Sequence, residues 1–253
     1  MATSPKSSEK TPDQQQLPAQ KAQREPQDAA YARAQDAIAT ARTSDASDLT
    51  LSGDDFSDLT ELPPDVGTLT ALTDLSLSGT QVSDISALSG LTGLMGLSLS
   101  RTPVSDISAL SGLTGLTWLY LSRTEISDIS ALSGLKGLTG LYLSDTAVSD
   151  ISALSGLRGL STLDLMRTSV SDISALSGLT ALSGLSLLGT PVNDLSTILP
   201  LTQLVDAPKY GGLAFRNTAA ARADRRIAEI AGIQDDAKRA TDLCAYLKNV
   251  TPT

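Results

Sequence analysis

An aspartate recurs every 22 residues through the middle of this chain, at Asp84, Asp106, Asp128, Asp150, Asp172 and Asp194. A column of carboxylates at fixed spacing raises the question of a cation site. Calcium takes roughly six to eight oxygens, and stacked copies of a repeating unit stand about 4.8 Å apart, yet no second oxygen-rich position accompanies each Asp. The surrounding Ser-Asp-Ile-Ser-Ala-Leu instead predicts that each carboxylate caps a short helical turn. The other reactive-looking set is aromatic and cationic: Trp118, Tyr120 and Tyr142 with Arg101, Arg123, Arg167, Asp164 and Met166. Trp, Tyr and Arg are the residue types that concentrate energy at binding surfaces.

Little else in the composition can do chemistry. The 253 residues contain no His, which removes imidazole-based metal sites, Ser-His-Asp and Cys-His nucleophiles and imidazole general bases. Only carboxylate chemistry remains for an enzyme, and Asp145 and Asp164 carry no sign of the apolar pocket that raises a carboxyl pKa. The single Cys244 cannot form an internal disulfide; it fits a packing role and a reducing compartment. Glycines recur in phase with the repeat and match neither GxxxxGK[ST] nor GxGxxG. No stretch approaches the roughly 20 apolar residues of a membrane span, and the start MATSPKSSEKTPDQQQ has no apolar core of a signal peptide.

What must position the aromatic set is a repeat. From Leu69 the chain copies itself every 22 residues, and DISALSGL recurs unchanged at 84–91, 106–113, 128–135, 150–157 and 172–179. The unit reads LxxLxLxxTxVSDISALSGLxx. Its LxL step is strand periodicity, so Leu75 and Leu77 point inward while Asp74, Ser76 and Ser78 face solvent. Ile85, Leu88 and Leu91 then carry the chain back across the core. A lone coil of this kind buries too little to repay the entropy of ordering itself, so stacking into a solenoid is obligatory.

These residues resemble the leucine-rich repeat family, in the short 22-residue class shared by bacterial internalins and a regulatory subunit of a nuclear protein phosphatase. The resemblance covers about residues 49 to 218. It implies an α/β solenoid, a curved right-handed superhelix with a parallel β-sheet on its concave face. It departs at one position: the family asparagine is Thr80, Thr102, Thr124, Thr146, Thr168 and Thr190 here. One hydroxyl donates less than an amide, and the threonines are read as a substitute ladder. ELPPDVGTLTAL at 61–72 and the tail from Gly212 resemble the first unit and closing segment of bacterial leucine-rich repeat proteins, which suggests a bacterial source.

Four regions follow: a polar, disordered tail over 1–26, a capping helix within 27–48 started by Asp28, the solenoid over 49–218, and a helical cap over 219–253. In that last region helices are expected over about 222–231 and 236–248, the second with Leu243, Tyr246, Leu247 and Val250 on its apolar side. Basic and acidic groups number 6 and 5 in residues 1–44, 5 and 18 in 45–206, and 8 and 5 in 207–253, for nets of +1, −13 and +3. The acidic body disfavours nucleic acid.

Superposing the solvent-side columns places Trp118, Tyr120, Tyr142, Asp164 and Met166 beside Arg101, Arg123 and Arg167 in one concave patch. The function this predicts is a non-catalytic, cofactor-free and metal-free scaffold, a cytoplasmic monomer binding a protein partner rather than nucleic acid or membrane. A secreted bacterial effector engaging a host protein, with residues 1–26 as its export signal, and a regulatory subunit of an enzyme are the competing readings.

Overall fold

A computed structural model describes residues 12–206 and 212–250. Helix α1 (Pro12–Ser44) leads into a single open parallel sheet in strict sequence order. Its strands are β1 (Asp48–Thr50), β2 (Asp74–Ser76), β3 (Gly96–Ser98), β4 (Trp118–Tyr120), β5 (Gly140–Tyr142), β6 (Thr162–Asp164), β7 (Gly184–Ser186) and β8 (Leu213–Ala214). Helix α2 (Thr202–Asp206) precedes β8, and α3 (Ala219–Ala223), α4 (Arg225–Ala231) and α5 (Asp236–Val250) follow it. This is the leucine-rich solenoid that the 22-residue period requires.

Period-2 alternation decides what each strand hides. The central leucines Leu75, Leu97, Leu119, Leu141, Leu163 and Leu185 pair in register from strand to strand and are buried, as are Leu77, Leu99, Leu121, Leu143, Leu165 and Leu187 at the strand ends. Val104, Ile107, Leu110 and Leu113 close the opposite wall of their coil with no more than 2% exposure, and each neighbouring coil repeats the arrangement. Backbone bonds such as Leu99 N–H to Tyr120 C=O at 2.8 Å and Arg101 N–H to Ser122 C=O at 2.9 Å continue the ladder past the strand ends.

Each repeated aspartate serves its own turn. The Oδ1 of Asp84, Asp106, Asp128, Asp150, Asp172 and Asp194 accepts from the backbone N–H of the serine two residues on, at 2.7–2.8 Å, just where a one-turn 3₁₀ helix begins. That satisfies an amide that the short helix leaves without a partner.

The threonine column does not form a ladder. The hydroxyls of Thr80, Thr102, Thr124, Thr146, Thr168 and Thr190 are buried and donate back to the leucine carbonyl three residues earlier in the same coil, at 2.7–2.9 Å. A short hydroxyl reaches its own turn more easily than the next coil. Side-chain bonds between coils come in large part from the Thr or Ser that precedes a strand. Thr117, Thr139 and Ser161 donate to the carbonyls of Met95, Thr117 and Thr139 at 2.9–3.0 Å.

The ends depart from the expected limits. Helix α1 begins at Pro12, so Asp28 lies inside it rather than capping it, and residues 12–26 are helical rather than part of a disordered tail. The Gln, Ala, Lys and Arg of this run are good helix formers that offset the interior bonds lost at Pro18 and Pro26, and extending a helix anchored by packing costs far less than starting one. Residues 1–11 lie outside the described residues. Ala30, Ala34, Ile38 and Ala41 are buried against the first coil, and Arg33 pins the helix by donating to the Asp55 carbonyl at 2.7 and 3.0 Å.

At the other end the helix expected from about 222 is two. Helix α3 starts at Ala219, capped by Thr218 Oγ1, and the chain breaks at Asp224, whose carboxylate accepts from Arg226 and Ile227 N–H to start α4. Ile227, Ile230, Leu243, Cys244 and Leu247 are buried, whereas Val250 is 51% exposed instead of facing the core. Among the described residues no helix is long and apolar enough to cross a membrane.

Candidate functional site

On the solvent side of the sheet two rows of side chains run across the strands. The first reads Asp48, Asp74, Gly96, Trp118, Gly140, Thr162, Gly184; the second reads Thr50, Ser76, Ser98, Tyr120, Tyr142, Asp164, Ser186. Parallel in-register pairing sets Tyr120 opposite Tyr142 at the strand spacing. Their ring centroids stand 4.7 Å apart with planes 10° from parallel. Trp118 joins from the adjoining row, 6.4 Å from the Tyr142 ring and 22° from its plane. Three aromatic side chains therefore form one stacked platform over β4 and β5, with the ring spacing that favours attraction.

The platform depends on a missing side chain. The indole lies over the backbone of β5, where a Cβ on Gly140 would overlap Cε3 and Cζ3 of Trp118. The same device recurs two strands earlier: the carboxylate of Asp74 leans across Gly96, occupying the position of a Cβ there. Between Asp74 and the aromatic wall this leaves a groove of about 310 Å³, floored by Ser76, Gly96 and Ser98.

The arginines stand elsewhere. Gly79, Arg101, Arg123, Asp145, Arg167 and Gly189 occupy one corner position after the strands, all in the left-handed region with φ between 55° and 77°. From this corner Arg123 and Arg167 turn along the row of corner residues toward Asp145, and Arg167 also stays within electrostatic reach of Asp164. Arg123 and Arg167 converge on Asp145: Arg123 Nε lies 3.4 Å from Oδ2, while Arg167 donates through Nε to Oδ1 and through Nη2 to Oδ2 at 2.7 Å. The Arg167 hydrogen bond holds the Asp145 carboxyl below the usual aspartate value, with Arg123 adding to it. That direction is opposite to the one a general acid needs.

The eight residues superposed into one patch thus divide. Trp118, Tyr120 and Tyr142 are together, with Asp164 next to Tyr142 in register and its Oδ1 turned back to accept from Met166 N–H at 3.0 Å. Arg101 and Arg123 line the corner surface with Gln81, Pro103 and Glu125. Met166 and Arg167 border a separate hollow with Phe215, Arg216 and Arg239 at the C-terminal end. Flattening the columns kept their order and lost the left-handed turn. Asp48 and Asp74, which line the groove, were not among the eight, although Asp74 followed one coil later by Gly96 in the same column was a readable sign of open space there. Among the described residues no group of three or more His, Cys, Asp or Glu is placed to hold a metal ion.

A rigid stacked sheet exposing one aromatic platform is the build of an interaction scaffold. Leucine-rich repeats, described as two copies, match residues 114–156, the two coils that carry Trp118, Tyr120 and Tyr142. An internalin from Listeria monocytogenes is similar in structure with TM-score 0.58 and 36% identity over 62% of this chain and 45% of its own. Internalin C2 from the same organism gives TM-score 0.56 and 31% identity over 62% of this chain and 78% of its own. A leucine-rich repeat protein from Leptospira interrogans, 20% identical with TM-score 0.54 over 65% of this chain and 49% of its own, shares the fold. No curated protein matches. The chain belongs to the bacterial leucine-rich repeat proteins, whose fold is typical of scaffolds for protein–protein interaction. It spans less than half of the first internalin's length.

Proposed function

We propose that this chain is a non-catalytic, monomeric scaffold that recognises a partner protein through its concave sheet face, with affinity concentrated at Trp118, Tyr120 and Tyr142. The observation that carries the reading is the stack itself. The chain's only Trp and two of its five Tyr residues meet on the solvent side of adjacent strands, where leucine packing does not call for them. Large flat side chains held rigid before binding lose little entropy on contact, which is what makes such groups effective anchors.

The serine-rich rows around the platform fit the same reading, because small polar neighbours let a partner approach closely while the rings project. The net charge of −13 over residues 45–206 opposes phosphate backbones, so nucleic acid is not the expected ligand. The reading needs neither cofactor nor metal.

The test is retention of proteins on the immobilised full chain, beside a Trp118→Ala/Tyr120→Ala/Tyr142→Ala variant with an unchanged melting curve. A protein held by the native chain and lost from the variant supports the assignment. Equal retention by both overturns it.

A further inference from the structure

We propose that the groove beside the platform takes a cationic side chain, an arginine or lysine of the partner protein, between the Asp48 and Asp74 carboxylates and the rings of Trp118 and Tyr120. This rests on the sheet face being the partner-binding surface, and it names the chemistry that surface selects. In the first row Asp48, Asp74, Gly96 and Trp118 follow one another on β1 to β4. The Gly96 step removes the one side chain that would separate carboxylate from indole. Two strand spacings, about 9.6 Å, lie between the backbones of Asp74 and Trp118, and because Asp74 Oδ1 fills the space above Gly96, a flat guanidinium would lie against that oxygen, over Ser98 and beside the rings.

Charge and shape agree on the occupant. Thr73 Oγ1 donates to Asp74 Oδ2 at 2.9 Å, leaving Oδ1 leaning over Gly96. Among the described residues neither Asp48 nor Asp74 forms an ion pair, whereas Asp145 already holds two arginines. A cation entering between the carboxylates and the aromatic wall gains both ionic and cation–π attraction. A carboxylate or phosphate would meet Asp48 and Asp74 with like charge, inside a body already strongly negative.

Trp118 is the only tryptophan, so its emission reports on the groove directly. The full chain is titrated with acetyl-Gly-Gly-Arg-Gly-Gly-amide and with the same peptide carrying norleucine. The expected result is a saturable emission change with the arginine peptide, weakened about tenfold or more both by Asp48→Asn/Asp74→Asn and by substituting norleucine. Raising salt on the native chain should weaken it too, which gives a readout independent of any variant. Equal affinity for the norleucine peptide, no response to the arginine peptide, or an arginine affinity within about twofold in Asp48→Asn/Asp74→Asn would overturn the assignment.

The two readings fail separately. A captured protein lost from the triple aromatic variant but retained equally by Asp48→Asn/Asp74→Asn keeps the interaction surface and sinks its cationic selectivity. Carboxylate-dependent arginine binding, with captured proteins indifferent to the aromatic variant, keeps the groove chemistry and sinks the role of the platform.

Discussion

Trp118 and Gly140 form one structural unit: the indole occupies the volume that any side chain at position 140 would fill. Gly140→Ala should therefore push the indole off β5 into solvent. The expected readouts are a red-shifted Trp118 emission and weaker partner retention, with a stability cost of only about 0.5–1.5 kcal/mol because a side chain gives way rather than the backbone. Unchanged emission would show that the ring does not depend on Gly140.

The Tyr120–Tyr142 pair is a contact between coils as well as part of the platform. A double-mutant cycle with Tyr120→Ala and Tyr142→Ala should give a coupling energy of about 0.5–1.5 kcal/mol in denaturant unfolding. Strict additivity would mean that the rings merely coincide in register.

Acid should weaken the array through its turns. The carboxyls of Asp84, Asp106, Asp150 and Asp172 sit below the usual aspartate value, first because the N–H of the serine two residues on donates to each. Those bonds favour the ionised form only in the folded chain. Their stabilisation is complete above the ordinary value of about 3.9 and is lost as pH falls through the lower folded values. Melting temperature should hold from pH 7 to about 5 and drop below about 4. With all four changed to Asn, which still accepts from the amide, that part of the acid dependence should disappear.

Arg239 ties the C-terminal helices to the sheet. Its buried guanidinium donates from Nε to the Leu213 carbonyl of β8 at 2.6 Å and also reaches the Ile233 carbonyl and Asp236. Arg239→Ala should cost about 2–3 kcal/mol, since charged donors to buried acceptors are among the stronger bonds. Hydrogen exchange should rise first over residues 219–250. Uniform exchange along the chain would mean that Arg239 does not hold the cap.

How much of this was legible in the sequence depends on what each feature needs. Leu97 and Leu99 bury because they alternate along a strand, and alternation is a local property that the LxL step displays. The stacking of Tyr120 on Tyr142 was within reach for the same reason, since 22-residue phase alone puts them side by side. Arg123 and Arg167 were drawn toward the rings because a column records order and not direction. At the left-handed corner Arg123 and Arg167 pair with Asp145 instead, and no residue type there announces the turn as glycine does at Gly79. Thr124 shows the same gap: its burial was readable, while its choice of the Leu121 carbonyl over the next coil is a matter of reach. The start of α1 at Pro12 was hidden because composition weighs a segment alone, whereas a helix already packed at Ala30 and Ala34 can be continued by residues that would never begin one.

Helices lie against both outermost strands of the described sheet, α1 on β1 and α5 on β8. Strands that repeat in register are templates, and an uncovered β1 or β8 would offer backbone groups to a second copy as readily as to the next coil of its own chain. With α1 seated on one end and Arg239 occupying the Leu213 carbonyl at the other, both outer strands are partly shielded from pairing with a second copy. Shielded outer strands leave less open backbone for another chain to pair with, the usual route by which repeated strands associate without end.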